Sequence, residues 1–187
     1  DRIIGGRHRG AKLADVAGNK TRPSADRVRE SIFNILSGGR YGSPLVNGIV
    51  LDLFAGTGAI GLEALSRGAA RANFVENDLA ALAIVRKNIH KLQRMDDCRV
   101  IAGDATRLVN WRGNPANLVF ADAPYGTGDG LRAVASLNAI GALLPESIAV
   151  IETGRQEELD PDILATINLK CIDSRHYGKA AVHFLAS

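Results

Sequence analysis

The hydrophobic positions along this chain switch repeatedly between two periods. Ile49-Val50-Leu51-Asp52-Leu53-Phe54 is a mostly apolar run of strand length, and it breaks at Gly56 and Gly58. Helical spacing follows at once. Ile60, Leu62, Ala64 and Leu65 can share one buried face over about 58–67, and Gly68 stops the pattern. Arg71–Glu76 is the next strand. Asp78 caps a helix running to about Leu92, with Leu79, Leu82, Val85, Ile89 and Leu92 on one face. Strands over Arg99–Ala102 and Asn117–Asp122, a helix over about 129–143 and a strand over 147–152 continue the alternation. The last two apolar runs, 166–174 and 178–186, read as strands joined at Tyr177-Gly178. Alternation of this kind predicts a parallel sheet wound on both faces. A final pair adjacent in sequence is most simply antiparallel.

The first 40 residues have a different texture. Arg2-Ile3-Ile4, Gly5-Gly6, Arg7-His8-Arg9-Gly10 and Lys12-Leu13-Ala14 read as short strands hinged at glycines, in the manner of a hairpin. Thr21-Arg22-Pro23-Ser24 is a turn into a helix, with Ser24 as its cap. Arg27, Val28, Ile32, Phe33, Ile35 and Leu36 make that helix amphipathic to about Ser37. Gly38-Gly39 ends it, and 38–48 is a glycine/proline loop. The 187 residues fit one domain, 41–187, preceded by a basic extension, 1–40.

Charge sharpens that division. The net charge is +3, but residues 1–40 hold nine Lys/Arg against four acids, which is +5, so the remainder carries −2. A basic arm on a slightly acidic body points to a polyanionic partner. No apolar run approaches the ~20 residues that span a bilayer, and no secretory signal is visible, so a cytoplasmic protein without a membrane partner is expected. Cys98 and Cys171 are far apart in strand-like surroundings and are expected to be buried free thiols, with neither a disulfide nor a metal site. His176 and His183, in the last strand pair, read as structural.

Chemistry concentrates at strand ends. Gly56-Thr57-Gly58-Ala59-Ile60-Gly61 satisfies G-x-G-x-x-G, and Glu76 lies twenty residues after Gly56, as in a dinucleotide site. Asp52 shifts the reading. A carboxylate at the end of that strand disfavours a pyrophosphate and suits a ligand bearing an ammonium or sulfonium. Glu76 can accept from both hydroxyls of a ribose, and Asp104 in Gly103-Asp104-Ala105 can accept from an adenine amine. Three acids at successive strand ends suit S-adenosylmethionine, although each acid taken singly also suits a helix cap or a solvated charge.

A second motif follows the apolar run Leu118-Val119-Phe120-Ala121. Asp122-Ala123-Pro124-Tyr125 resembles the (D/N/S)-P-P-(Y/F/W) tetrapeptide of methyltransferases that modify exocyclic amines. The nitrogen lone pair of such an amine is delocalised into the ring. Accepting hydrogen bonds from both of its hydrogens, by the Asp122 carboxylate and the carbonyl of Ala123, drives the nitrogen toward sp³ and frees the pair. Tyr125 offers a stacking face worth ~1–3 kcal/mol to a flipped base. Ala123 stands where the pattern has proline. The carbonyl survives, stiffness at φ is lost, and Pro124 still holds Ala123 toward the extended region.

Longer strings carry a resemblance. Arg2-Ile3-Ile4-Gly5-Gly6, Arg9-Gly10-x-Lys12-Leu13, Arg22-Pro23-x-x-Asp26-Arg27-Val28-Arg29-Glu30 and Phe33-Asn34 precede Leu51-Asp52-Leu53-Phe54-Ala55-Gly56-Thr57-Gly58-Ala59-Ile60-Gly61-Leu62-Glu63-Ala64-Leu65-Ser66-Arg67-Gly68. Together they resemble the RsmD family, bacterial methyltransferases acting on N2 of a guanine in 16S ribosomal RNA. The N-terminal strings are the specific part and separate this family from adenine-N6 and glutamine-N5 relatives. The resemblance implies a class I, Rossmann-like methyltransferase fold: a seven-stranded, mostly parallel sheet with its last strand antiparallel. It implies S-adenosylmethionine held by Asp52, Phe54, Ala55, Gly56, Thr57, Gly58, Glu76, Asn77, Asp104 and Ala105, and a catalytic loop of Asp122, Ala123, Pro124 and Tyr125. It further implies that the arm contacts 16S rRNA within an assembling small-subunit particle, with Arg7, His8, Arg9, Lys12, Arg22, Arg27 and Arg29 as candidate contacts, in a monomer. A DNA adenine-N6 methyltransferase, a non-catalytic RNA-binding assembly factor and a nicotinamide dehydrogenase are the competing readings.

Overall fold

Seven strands form one sheet: β1 (Ile49–Leu53), β2 (Arg71–Glu76), β3 (Cys98–Ala102), β4 (Ala116–Asp122), β5 (Leu143–Gly154), β6 (Lys170–Tyr177) and β7 (Ala180–Ala186). The computed structural model describes residues 1–16 and 23–187, so Arg22, the expected turn at Thr21-Arg22 and the side chain of Ser24 lie outside the described residues. The strand order is β3-β2-β1-β4-β5-β7-β6. The first five strands are parallel, and β7 runs antiparallel to both β5 and β6. This is the sheet the alternation predicted. The helices are α1 (Pro23–Ser37), α2 (Ala59–Ser66), α3 (Leu79–Lys91), α4 (Asp129–Ala139) and a short α5 (Pro161–Leu164).

The period-2 pleat sorts the apolar residues into two clusters. Val50, Phe74, Leu118, Phe120, Val150 and Phe184 pack against Ile32, Phe33 and Leu36 of α1, Leu62 and Leu65 of α2, and Val85 and Ile89 of α3. The alternate positions, Leu51, Leu53, Val119, Ala121, Ala149 and Ile151, pack against Leu131, Val134 and Leu137 of α4. Both faces are covered, which is why the central strands read as near-continuous apolar runs. Ile3 and Leu13 of the arm belong to the first cluster, so the arm shares the core.

Several boundaries differ from the sequence expectation, each for a local reason. The helix expected to 143 stops at Ala139, because Gly141 takes φ 81 and Leu143 pairs with Ala116 as the start of β5. The last hairpin turns one residue later than expected, at Gly178-Lys179. Asp160 accepts from Asp162 N at 2.9 Å and starts α5, which was not expected. Leu79 is 83% exposed, whereas Asn88 is buried on the inner face of α3. The cysteines are free but not buried as expected. Cys98 is half-buried, with its thiol pushed up to about 12 by burial, and Cys171 is exposed on β6, the edge strand, most of whose residues face solvent.

Within the arm the expected hairpin reduces to one antiparallel bridge, Arg2 with Lys12, backed by Ile3 N to Ala11 O at 2.9 Å and Leu13 N to Asp1 O at 2.8 Å. Most of its hydrogen bonds go to the domain instead. Glu63, fully buried on α2, accepts from Ile4 N at 2.9 Å and Gly5 N at 3.0 Å. Ser66 donates to Gly5 O at 2.6 Å and accepts from His8 N at 2.8 Å. Asn88 accepts from Ala14 N at 2.7 Å and donates to Ala14 O at 3.0 Å. Gly6 makes this docking possible: it has φ 78, and a Cβ there would lie 2.0 Å from Ser66 O.

Candidate active site

The order of the parallel strands reverses between β1 and β4, and ligands of open α/β sheets bind outside the carboxyl ends at such a point. Here the two strands are paired in register, Leu53 beside Ala121. The glycine turn therefore leaves the sheet next to Asp122-Ala123-Pro124-Tyr125.

Phe54 opens the turn at φ 58, a left-handed conformation uncommon for a residue with a side chain. Ala55 N donates to Val75 O at 3.1 Å, and Gly58 N to Ala55 O at 2.8 Å, before α2 begins at Ala59. Thr57 is held from behind, its carbonyl accepting from Asn88 Nδ2 at 2.9 Å. Asp52 lies beneath this turn, 1% exposed, and its Oδ2 accepts from Gly61 N in the first turn of α2 at 3.0 Å. Burial, with the Glu76 carboxylate adding to it, pushes the Asp52 carboxyl up to about 8 against the pull of the Gly61 amide. A buried carboxyl in that state is neutral at pH 7 and becomes an anion when a cation is brought beside it.

Glu76 ends β2 beside the glycine turn. Its Oε1 accepts from Gly56 N, and its Oε2 from Asn77 N and Asp78 N, all at 2.8 Å. Three amides thus fix one carboxylate between the glycine turn and α3. Asn77 is exposed, and Asp78 caps α3 by accepting from Ala81 N at 2.9 Å. Asp104 follows β3, where its Oδ1 accepts from Thr106 N at 2.9 Å and Thr106 Oγ1 at 2.7 Å. Those two bonds hold its carboxyl below the usual carboxylate range. Ala105 beside it is buried. An open crevice of about 770 Å³ runs from Asp104, Thr106 and Arg107 to Asp129, Arg132 and Ser136 of α4.

At the end of β4, Asp122 opens onto solvent while protein packs closely around its carboxyl. Its register partner on β5 is Glu152. Burial first, and the Glu152 carboxylate second, raise the Asp122 carboxyl well above the ordinary range. Ala123 is buried, Pro124 exposed and Tyr125 46% exposed. The Tyr125 hydroxyl donates to Glu152 Oε2 at 2.7 Å, and this, with burial ahead of it, raises the phenol. Thr127 Oγ1 donates to Pro124 O at 2.8 Å and closes the loop.

The candidate RNA contacts separate into two groups. Arg7, Arg9 and Lys12 are exposed on the arm, and Arg27 is exposed on α1. His8 is half-buried, its Nε2 3.2 Å from Arg94 Nη1, and burial followed by Arg94 and Arg7 lowers its imidazole. Arg29 departs from the sequence expectation. It is 6% exposed under the arm, donates to Arg2 O, and lies 3.4 Å from Asp26 and 3.6 Å from Glu63. Its guanidinium is engaged with protein.

Comparison with known proteins bears on what such a site belongs to. A family model described as conserved hypothetical protein 95 matches residues 1–186. The chain belongs to that family. It is 39% identical over 152 residues to ribosomal RNA small subunit methyltransferase D of Escherichia coli, spanning 81% of this chain and 74% of that one, which bears out the RsmD resemblance. The solved structure of the Escherichia coli protein yhhF superposes with a TM-score of 0.83 at 34% identity, covering 100% of this chain and 97% of that one. A magnesium protoporphyrin IX methyltransferase from Synechocystis, solved with its S-adenosylmethionine, has a TM-score of 0.67 at 11% identity, over 91% of this chain and 87% of its own. That likeness shows the class I methyltransferase fold.

Reading the sequence missed four residues of this arrangement. Glu152 lies within the last three residues of its strand, as Asp52, Glu76 and Asp122 do, and that shared position was the available signal. Glu63, Ser66 and Asn88 are polar residues on helix faces that are otherwise apolar, and their partners lie 58 to 74 residues away. Among the described residues no cluster of His, Cys, Asp and Glu is disposed to hold a metal, and no helix is long and apolar enough to cross a membrane.

Proposed function

We propose that this protein transfers a methyl group from S-adenosylmethionine to the exocyclic N2 of a guanine in 16S ribosomal RNA, within an assembling small subunit. The observation that carries the reading is the pairing of β1 with β4, which sets the glycine turn and Asp122-Ala123-Pro124-Tyr125 side by side.

The donor fits the residues present. Gly56 has φ 58, and a Cβ built on it meets nothing within 4 Å, so a ligand can approach the backbone there. Glu76 stands at the turn with its carboxylate pinned, where ribose hydroxyls can donate to it, and Asp104, following the neighbouring β3, is placed for the adenine amine. Asp52 beneath the turn complements a cationic methionine end. When bound, S-adenosylmethionine supplies a methyl group already activated by a sulfonium.

The chain's own residues do the rest by position. The Tyr125 ring stacks on the flipped base. Asp122 and the Ala123 carbonyl accept from the two N2 hydrogens. As the N2–CH3 bond forms and the S–CH3 bond breaks, one N2 proton passes to Asp122. Its carboxyl, raised above the ordinary carboxylate range, is a stronger base once ionised, which suits it to take that proton. Arg7, Arg9 and Lys12 meet phosphates, and Arg29 with Glu63 keeps the arm in place to present them.

The reading is tested by incubating the protein and labelled donor with small-subunit particles from a strain lacking the enzyme, followed by nucleoside analysis. N2-methylguanosine is expected. Label in N6-methyladenosine, or donor binding without transfer beside an active control enzyme, overturns the reading.

A further inference from the structure

Glu152 has no part in the chemistry above, yet it sits inside the site. It is the residue of β5 paired with Asp122 of β4. Both share the sheet parity of Phe120 and Val150, so their side chains leave the same face of neighbouring strands, ~4.8 Å apart in backbone spacing. Glu152 also lines one small pocket, about 80 Å³, with Ala123 and Pro124. Its Oε2 is held by the Tyr125 hydroxyl at 2.7 Å, and the carboxylate also interacts with that of Asp122, so it is fixed between the platform and the acceptor. A half-buried carboxylate anchored by the residue offered as the stacking platform faces whatever base that platform receives.

The three amine-bearing bases differ at the ring nitrogen beside the amine. Guanine carries N1–H, a donor next to the N2 amine. Adenine N1, beside N6, and cytosine N3, beside N4, are acceptors. We infer that Glu152 is the specificity-determining residue of this site, accepting from the guanine N1–H while Asp122 and the Ala123 carbonyl accept from the N2 amine. The contiguous donors of the guanine edge then meet contiguous acceptors. Adenine or cytosine in the same position would set a ring lone pair against the Glu152 carboxylate. Sites built around a hydrogen bond reject analogues that cannot make it far more strongly than apolar pockets reject a change of shape. The Glu152 carboxylate adds to the burial that disfavours the ionised form of Asp122 in the free protein, and guanine donors relieve that repulsion.

This inference rests on the guanine-N2 reading, and the experiment keeps the two apart. Small-subunit particles are reconstituted with rRNA carrying either guanine or 2-aminopurine at the methylated position. 2-Aminopurine keeps the C2 amine and replaces N1–H by a lone pair. The wild-type protein is expected to prefer guanine by ~10²-fold or more in kcat/KM. Glu152→Ala and Glu152→Gln should lower guanine turnover ~10–100-fold while leaving 2-aminopurine turnover unchanged or higher, so the ratio narrows in both. Tyr125→Phe keeps the ring, releases the anchor and should narrow the ratio less. Calorimetric binding of S-adenosylmethionine reports that each variant is folded. An unchanged ratio, with both substrates falling together, overturns the assignment and leaves guanine-N2 transfer standing. A wild-type protein that methylates neither base overturns the reading on which the assignment rests.

Discussion

Asp52→Asn separates the electrostatic cost of this site from its packing. Asp52 is 1% exposed, and its carboxyl is raised from 3.8 to about 8. Below about pH 4 the carboxyl is neutral in both the folded and unfolded chain, and stability does not depend on it. Between about 4 and about 8 the unfolded chain loses the proton while the folded chain keeps it. Stability then falls by ~1.4 kcal/mol per pH unit. Above about 8 both forms are ionised and the slope ends. Summed over the window, the ceiling is ~6 kcal/mol. Asparagine has nearly the same shape, never ionises, and keeps an oxygen for Gly61 N, which Asp52 Oδ2 now meets at 3.0 Å. The variant should therefore be close to wild type at pH 4 and more stable by several kcal/mol at pH 9, while binding S-adenosylmethionine more weakly. Urea denaturation at pH 4, 5, 6, 7, 8 and 9, for both proteins, measures this. The Asp122 carboxyl is also raised and bends both curves in the same direction, so the difference between curves isolates Asp52. Parallel curves, with the same gap at pH 5 and pH 9, would refute the reasoning.

Further outcomes follow from single contacts. Glu63→Ala leaves Arg29 and Arg67 without their shared carboxylate and two arm amides without an acceptor; it should cost ~3–5 kcal/mol in urea denaturation and open Arg7 and Arg9 to trypsin. Gly61→Ala sets a Cβ 2.4 Å from the Phe74 ring, so a loss of ~1–3 kcal/mol is expected, partly recovered when Phe74→Leu is added. Asp122→Asn should lower methyl transfer ~10²–10⁴-fold with donor affinity retained, and wild-type kcat/KM should rise with pH across an ionisation above the ordinary carboxylate range, a rise the variant lacks. Arg9→Glu should weaken rRNA binding and reduce its salt slope by ~1 or more, with Arg29→Gln showing chiefly a loss of stability.

Much of the architecture is readable from spacing because burial enforces it. β2 runs Arg71–Glu76 as expected: three of its four buried positions are apolar, and the fourth, Asn73, donates to Val50 O at 3.3 Å. α3 starts where Asp78 can accept from Ala81 N, a bond made within four residues. Errors fell where local pattern and tertiary pairing disagree. Leu143 continues the helical spacing of α4, but its pairing with Ala116 draws it into β5, and Ala142 O accepts from Ala116 N at 2.8 Å just before that strand. Leu79 has the spacing of a buried residue yet sits at the exposed first position of its helix, while the polar Asn88 is buried because the arm and Thr57 supply its partners. Arg29 follows the same logic: a cation in a basic arm reads as an RNA contact, and only folding adds Glu63 and Arg2 O to Asp26, its neighbour one turn back on α1.

By itself the sequence determined the sheet, the glycine turn at the end of β1, the tetrapeptide at the end of β4 and the family, because each is written in contiguous residues with a fixed period or spacing. Tertiary structure alone decided that β1 and β4 are neighbours, that Asp52 lies under the turn, that Glu63 and Asn88 hold the arm, and that Glu152 stands beside Asp122. These are pairings across 9 to 74 residues. Strand order and the desolvation of a carboxyl depend on what packs against it, and no local spacing along the chain encodes that.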